Sequence, residues 1–215
     1  MGGRGSWSKS GGTFSPDPGG GGCGDRETVV GPRIPSTLSE ALGKKGSPMS
    51  MAEASKGANP HYSPNYDAYS SNCQRTVLTY EARRRGYDVS ALPTYSGDLL
   101  PHNGDFLKAL SSPNPVSVGT SARQLRSEMA SYGAGARAIV TVSRGSNGHA
   151  FIAENVRGKI VYIDPQTNRR YSGLNLKRVT RANVTRIDNQ AFTEYAKNAF
   201  TVRKCNPWKY HFRTR

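Results

Sequence analysis

The sequence predicts an α+β fold in which helices come first along the chain and an antiparallel sheet follows them. Residues 72–86 and 121–132 have the pattern of helices, and three extended segments rich in Val, Ile, Ala, Phe and Tyr follow between residues 136 and 164. Only 35% of the residues are hydrophobic. A long N-terminal stretch crowded with Gly, Ser and Pro lowers that average, so the remainder can still bury a core.

The chain is predicted to have three parts. Residues 1–57 contain too few apolar side chains to offset the entropy of ordering, which predicts a flexible, low-complexity arm. Inside the arm, Ile34 to Leu42 is expected to form a short helix capped by Ser36 or Thr37, as a docking segment would. Residues 58–202 are predicted to form one catalytic domain, a usual size for a single domain. Residues 203–215 form a basic, aromatic C-terminal tail.

The first helix of the domain is predicted over Asn72 to Gly86. This segment has no internal Gly or Pro, a capping-type Asn at its start and a Gly at its end. Cys73 therefore falls in the first turn. A short strand over Tyr87 to Leu92, closed by Pro93, and a short helix over Asp105 to Leu110 are expected to follow.

A second helix, Ser121 to Tyr132, precedes the predicted sheet. Ser121 and Gln124 have the spacing of a capping box, and Leu125 and Met129 stack one turn apart. The pattern then becomes extended, which predicts a β-meander. Its strands cover residues 136–142, 149–156 and 159–164, and Arg157-Gly158 forms the last turn. A strand pair around Val179 to Ile187 and a closing helix over Gln190 to Phe200 complete the prediction.

The net charge of +15 belongs mostly to the domain and tail. Residues 1–57 hold seven basic and five acidic residues out of totals of 30 and 15. A surface this basic suits a partner that is an acidic protein surface or nucleic acid. A basic surface that is merely solvated would show the same charge excess. The basic residues concentrate late, at Arg169, Arg170, Lys177, Arg178, Arg181, Arg186, Arg203, Lys204, Lys209, Arg213 and Arg215.

The cysteines and the apolar segments indicate where the protein is expected to be located. Cys23, Cys73 and Cys205 lie too far apart for a metal-ligand motif, and their odd number cannot form a closed disulfide set. No signal-peptide core or membrane span is evident, so no membrane partner is expected. The expected location is the cytoplasm, or delivery with a phage particle or by a non-classical route.

Cys73, His149 and Asp164 have compatible chemical roles. A cysteine in the first turn of a helix has unpaired N–H groups and the positive end of the helix dipole beside it, which favour the thiolate. A Ser-Asn-Gly loop delivers His149 to the start of an apolar strand. A hairpin that turns at Arg157-Gly158 would bring Asp164, at the end of the next strand, near His149 or Ala150. A carboxylate there would orient the imidazole and stabilise its protonated form. The three residues are therefore predicted to form a catalytic triad.

Three consecutive arginines, Arg83, Arg84 and Arg85, suggest nucleic-acid binding. Consecutive residues fan around a helix, however, and Glu81 and Asp88 lie near enough in sequence to pair with some of them. A structural role is expected.

Two separated blocks carry a family resemblance. The first is NCQRTVLTYEARRRGYDVSALP and the second is GHAFIAENVRGKIVYIDPQTNRRY. Together they closely resemble the papain-fold toxin 1 (glutamine deamidase) family over about Asn72 to Tyr171. The resemblance implies a papain-like cysteine hydrolase fold with a Cys-His-Asp triad. Carried over by position, that triad is Cys73, His149 and Asp164.

The implied reaction is deamidation of a glutamine side chain in a target protein, without metal or organic cofactor. The Cys73 thiolate attacks the carboxamide, His149 protonates the departing ammonia, and water hydrolyses the thioester. The Cys73 backbone N–H and one further donor would hold the oxyanion. Asn72, Gln74 and Gln166 are the candidates for the second donor. Gln166 is better explained as a turn residue.

Three alternatives stay open. A cysteine protease or a transglutaminase-like acyl transferase would use the same triad. A non-enzymatic, basic phage-particle or nucleic-acid-binding protein with a vestigial site would use none of it. A phage origin is suggested by the Met-Gly-Gly-Arg-Gly opening and the low-complexity arm that follows it.

Overall fold

A computed structural model describes residues 34–65, 67–94 and 105–203. Residues 1–33 of the predicted arm and residues 204–215 of the predicted tail lie outside these residues, as do Cys23 and Cys205. All described residues fall in one compact unit, Pro32–Lys204. Within them, no helix is both long enough and apolar enough to traverse a lipid bilayer.

Five α-helices and two 3₁₀ helices are present in the described part of the chain. The α-helices are α1 (Leu38–Leu42), α2 (Met51–Ala58), α3 (Asp67–Ser70), α4 (Cys73–Arg84) and α5 (Ala122–Ser131), and the 3₁₀ helices cover Asp105–Ala109 and Glu194–Asn198. The predicted helices at 72–86 and 121–132 are confirmed with boundaries within two residues of those predicted. Ser121 caps α5 as expected, because its hydroxyl accepts a hydrogen bond from the Gln124 N–H.

The described strands form two sheets. They are β1 (Val89–Ala91), β2 (Val116–Gly119), β3 (Arg137–Arg144), β4 (Asn147–Val156), β5 (Lys159–Asp164), β6 (Arg169–Tyr171), β7 (Arg181–Arg186) and β8 (Phe200–Val202). Six of them form an antiparallel sheet in the order β2-β7-β3-β4-β5-β6, and β1 pairs with β8. The α+β class and the β3-β4-β5 meander are therefore confirmed.

The large sheet buries both of its faces. Because successive side chains of a strand point to opposite faces, Ala150 and Ile152 pack with α4 while Phe151 and Ala153 pack with α5. The α4 face includes Val77 and Leu78. Helix α4 packs against β4, and the site lies where both elements begin.

The helices before residue 58 pack onto the domain. Thr37 caps α1, as predicted, by accepting a hydrogen bond from the Glu40 N–H. The side chains of Ala41, Ala54 and Ala58 are fully buried in the α4-side core. The boundary expected at Gly57 falls inside α2, so the segment from Ile34 to Gly57 contributes to the core instead of standing apart from it.

Two predictions for the C-terminal part need correction. The strand pair expected around Val179 to Ile187 is a single strand, β7, because its partners are β2 and β3 from earlier in the chain. The closing helix expected over Gln190 to Phe200 shrinks to the 3₁₀ helix Glu194–Asn198, since the chain then extends to pair β8 with β1.

The three consecutive arginines are structural, as predicted. Arg83 pairs with Asp88 at 2.7 Å, Arg84 with Glu154 at 2.9 Å and Arg85 with Glu81 at 2.7 Å. The Arg85 guanidinium also lies 4.6 Å from the centroid of the Phe192 ring. These contacts tie α4 to the sheet and to the C-terminal segment.

Candidate active site

Cys73 is the first residue of α4 and is half-buried at the edge of the α4-side core. Asn72 occupies the N-cap position but makes no side-chain cap hydrogen bond. The N–H groups of Arg75 and Thr76 donate to the Asn72 carbonyl oxygen. Within the described residues, the N–H groups of Cys73 and Gln74 have no acceptor. The thiol therefore lies beside two free donors and the positive end of the helix dipole.

His149 lies near the start of β4, two residues after the strand leaves the Gly145-Ser146 turn. Its ring stacks near Phe151, with centroids 6.2 Å apart and an interplanar angle of 29°. The side chain is 35% exposed. A rigid strand thus presents an imidazole that solvent and a substrate can reach.

Asp164 is the last residue of β5 and its side chain is 11% exposed. Its Oδ2 lies 3.2 Å from Nε2 of His149 and also accepts a hydrogen bond from the Thr167 hydroxyl at 3.0 Å. Its Oδ1 accepts from the Gln166 N–H at 3.1 Å. Both carboxylate oxygens are therefore held in place.

The hairpin register differs from the expected one. Ile152 lies opposite Ile163, so continuing the ladder brings Asp164 opposite Phe151 rather than His149 or Ala150. His149 and Asp164 are on the same face of the sheet, two positions apart along β4, which makes them diagonal neighbours. A histidine and an aspartate can span that diagonal.

The site favours the imidazolium form of His149. Burial lowers the pKa of His149, but hydrogen bonds to Asp164 and to the Cys73 thiol, with the charges of both groups, raise it to about 10. Burial raises the pKa of Asp164, but its bonds to His149, Thr167 and the Gln166 N–H outweigh burial and hold that pKa below its ordinary value. His149 therefore interacts with both other members of the predicted triad.

A buried amide network connects the elements that carry Cys73 and Asp164. Asn59, at the C-terminus of α2, exchanges hydrogen bonds with Asn72 at 3.1 and 3.2 Å. The Asn59 Nδ2 also donates to the backbone oxygens of Tyr69, at 2.9 Å, and Gln166, at 3.0 Å. The start of α4 and the loop after β5 are thus fastened to the same side chain.

The three predicted oxyanion or substrate contacts have different surroundings. Asn72 is 1% exposed and its Nδ2 donates to Asn59 and to the Leu92 carbonyl. Gln166 is also buried, and its Nε2 donates to Asn72 at 3.4 Å. Gln74 is half-buried, and its side chain has no hydrogen bond within the described residues. Both buried amides serve the network, which leaves Gln74 as the available side chain.

Asn59 and Thr167 were missed at the sequence level. Thr167 lies in the Asp-Pro-Gln-Thr segment already singled out, and an Asp followed by a hydroxyl three residues later is the signal that could have found it. Asn59 is 107 positions from its partner Gln166. No local pattern could have indicated that contact.

The described residues form an α+β domain with a cysteine, a histidine and an aspartate gathered at one end of its sheet. No group of three His, Cys, Asp or Glu residues in that described part is placed to hold a metal ion. Residues 71–169, a little under half of the chain, match the model of the family papain fold toxin 1, glutamine deamidase. The match confirms the resemblance expected from the sequence and spans all three residues. No curated protein and no solved structure matches the chain.

Proposed function

We propose that the protein is a cysteine-dependent glutamine deamidase with a papain-like fold, which converts glutamine side chains of a target protein to glutamate. The observation that carries the proposal is the position of His149, which hydrogen-bonds Asp164 through Nε2 and also interacts with the Cys73 thiol. The family match to residues 71–169 supports the choice of a glutamine amide as substrate.

The reaction begins with attack of the Cys73 sulfur on the carboxamide carbon, which forms a C–S bond and places negative charge on the oxygen. The free N–H groups of Cys73 and Gln74 lie at the helix start, where they can donate to that oxygen. The Gln74 side-chain amide is a further donor. His149 then gives its proton to the nitrogen, the C–N bond breaks and ammonia leaves a thioester on Cys73.

Hydrolysis completes the cycle. His149, now neutral, takes a proton from water as the water oxygen attacks the thioester carbon, and the thiolate leaves. The products are a glutamate side chain and the regenerated imidazolium–thiolate pair. Asp164 keeps the ring oriented throughout because Thr167 and the Gln166 N–H hold its carboxylate.

Peptide mass spectrometry with an ammonia assay tests this proposal. Wild-type protein and Cys73→Ala are incubated with a library of glutamine-containing peptides. A deamidase releases ammonia and shifts the mass by one amide-to-acid conversion, and Cys73→Ala does neither. Fragmented peptides would indicate a protease instead, and amine-dependent adducts a transglutaminase-like enzyme. Identical profiles for the two proteins would contradict all three.

A further inference from the structure

A cavity of about 590 Å³ opens directly beside the candidate triad. His149 and Asp164 form part of its wall. Apolar side chains supply much of the remainder, including Val142, Phe151, Leu174, Leu176 and Val179. Cys73 does not line it. His149 connects the two, since it interacts with the Cys73 thiol and also lines the cavity.

Exposed cations lie at or next to residues that line the cavity. Arg144 lines it, Arg170 precedes the lining residue Tyr171, and Lys177 and Arg178 lie between the lining residues Leu176 and Val179. Arg169 lies opposite Asp164 in the β5-β6 ladder. Residues 165–187 contain no Asp or Glu at all. The sequence around the cavity therefore supplies positive charge without acidic neighbours.

These cations differ from five other arginines of the domain. Arg83, Arg84, Arg85, Arg137 and Arg186 each pair with a carboxylate. Within the described residues, none of the five cations around the cavity has a carboxylate partner. The five are Arg144, Arg169, Arg170, Lys177 and Arg178, here called the basic rim. Unpaired like charges close together repel one another, and an acidic ligand would relieve that repulsion.

We infer that the target segment is acidic, with an apolar residue next to the modified glutamine and Asp or Glu residues around it. This inference rests on the proposed function and names its class of substrate. The apolar residue would occupy the cavity, and the carboxylates would contact the basic rim. A protein segment fits better than nucleic acid because an apolar cavity offers nothing to a phosphate backbone.

Peptide binding to the inactive Cys73→Ala protein tests the inference without requiring turnover. Three fluorescent peptides share one central glutamine. The first has an adjacent Leu and flanking Asp and Glu, the second replaces the acids with Ser, and the third replaces the Leu with Ser. We expect the first peptide to bind at least about tenfold more tightly than either of the others. Its advantage over the second should shrink as salt is added.

Charge-reversal variants locate the contact. Arg169→Glu and Arg178→Glu should reduce binding of the acidic peptide. Lys159→Glu is the matched control, because Lys159 is exposed at the opposite end of β5 from Asp164. It carries the same charge change and should bind as the parent does. Circular dichroism of each variant verifies that it is folded.

The possible results separate the inference from the proposed function. Equal affinity for the acidic peptide and its Ser counterpart overturns the inference, as does stronger competition by a single-stranded oligonucleotide. Conversion of glutamine by the wild-type protein with no preference among the peptides overturns it while supporting the proposed function. Preferential binding of the acidic peptide without any conversion supports an acidic, apolar ligand at the cavity and contradicts the proposed function.

Discussion

Nε2 of His149 lies 3.2 Å from Oδ2 of Asp164, although the two residues are diagonal rather than direct neighbours across β4 and β5. With Nε2 facing the carboxylate, Nδ1 is the ring nitrogen left for the Cys73 thiol. The same carboxylate accepts hydrogen bonds from Thr167 and the Gln166 N–H. The orientation of the imidazole therefore depends on the short loop that follows β5.

Asp164→Asn should lower the pKa of His149 from about 10 toward its ordinary value of 6.5, because the charged acceptor is lost. The folded-state pKa lies above the ordinary value, so the stability that the imidazolium provides is present below about pH 6.5. It is lost as pH rises through about 10. In Asp164→Asn, this stability should be lost at a lower pH. NMR titration of the ring measures the shift.

Asp164→Asn should also reduce turnover of the glutamine substrate by about two orders of magnitude or more. Thr167→Val is the milder comparison, since it removes one neutral donor and keeps the charge. An unchanged His149 titration in Asp164→Asn would show that the carboxylate does not set the protonation of the ring.

The sequence predicted the parts of the site whose signals are local. The helix beginning at Cys73 has a capping-type residue, an uninterrupted core and a terminal Gly within fifteen residues. Strands β3 to β5 are consecutive and joined by short turns. The register was off by one or two positions, because the two-residue turn at Arg157-Gly158, which was predicted correctly, places Asp164 opposite Phe151. Here Val156 pairs with Lys159 across Arg157-Gly158.

What the sequence did not predict depends on distant contacts or weak local signals. Helix α2 has a complete capping box between Ser50 and Glu53, but it is short and ends near Gly57 in a Ser-rich region. Strand β2 has four residues, and β7 was mispaired because its partners come from earlier in the chain. The amide network of Asn59 joins residues up to 107 positions apart.

Asn59→Ala should impair both stability and turnover. The substitution removes the side-chain donor of the Gln166 carbonyl and two of the hydrogen bonds of the Asn72 amide, at a cost of about 1 to 3 kcal/mol. Turnover should fall further than stability alone explains, because Cys73 and Asp164 lose their common anchor. Urea unfolding and steady-state kinetics measure the two effects.

Asn155→Ala is the matched control for that experiment. Asn155 is as deeply buried as Asn59, and it bonds the Met129 carbonyl and the Gly158 N–H away from the site. It should lose comparable stability and keep its turnover. Equal kinetic losses in the two variants would remove the positioning role assigned to Asn59.

Glu81→Gln should destabilise the fold strongly. The Glu81 carboxylate is fully buried and bonds Arg85 and Arg137, each at 2.7 Å. Removing its charge leaves two partly buried guanidinium groups without a counter-charge, at a cost of about 3 kcal/mol. Asp105→Asn breaks the exposed pair with Lys108 and should cost less than about 1 kcal/mol. If chemical denaturation gave comparable losses of stability for Glu81→Gln and Asp105→Asn, this account would be contradicted.

Gly86→Ala should lower the stability of the fold for two reasons, and Gly158→Ala is the control that separates them. Gly86 has φ +103°, and an added Cβ would lie 2.4 Å from the Gly46 carbonyl oxygen. Gly158 has φ +89° with open space around it, so Gly158→Ala reports the conformational strain alone, roughly 1 to 2 kcal/mol. A larger loss at Gly86, measured by thermal unfolding, is expected. Equal losses in the two variants would mean that the Gly46 backbone moves aside at no energetic cost.

The most direct test of the central claim is to trap the acyl-enzyme and locate it. Wild-type protein mixed with a glutamine peptide is quenched in acid within the first turnover, and its intact mass and digest are measured. The account predicts an adduct with the mass of the peptide less ammonia, attached to Cys73 and missing in Cys73→Ala. An adduct on another residue, or glutamate formed by Cys73→Ala, would contradict the assignment of Cys73 as the nucleophile.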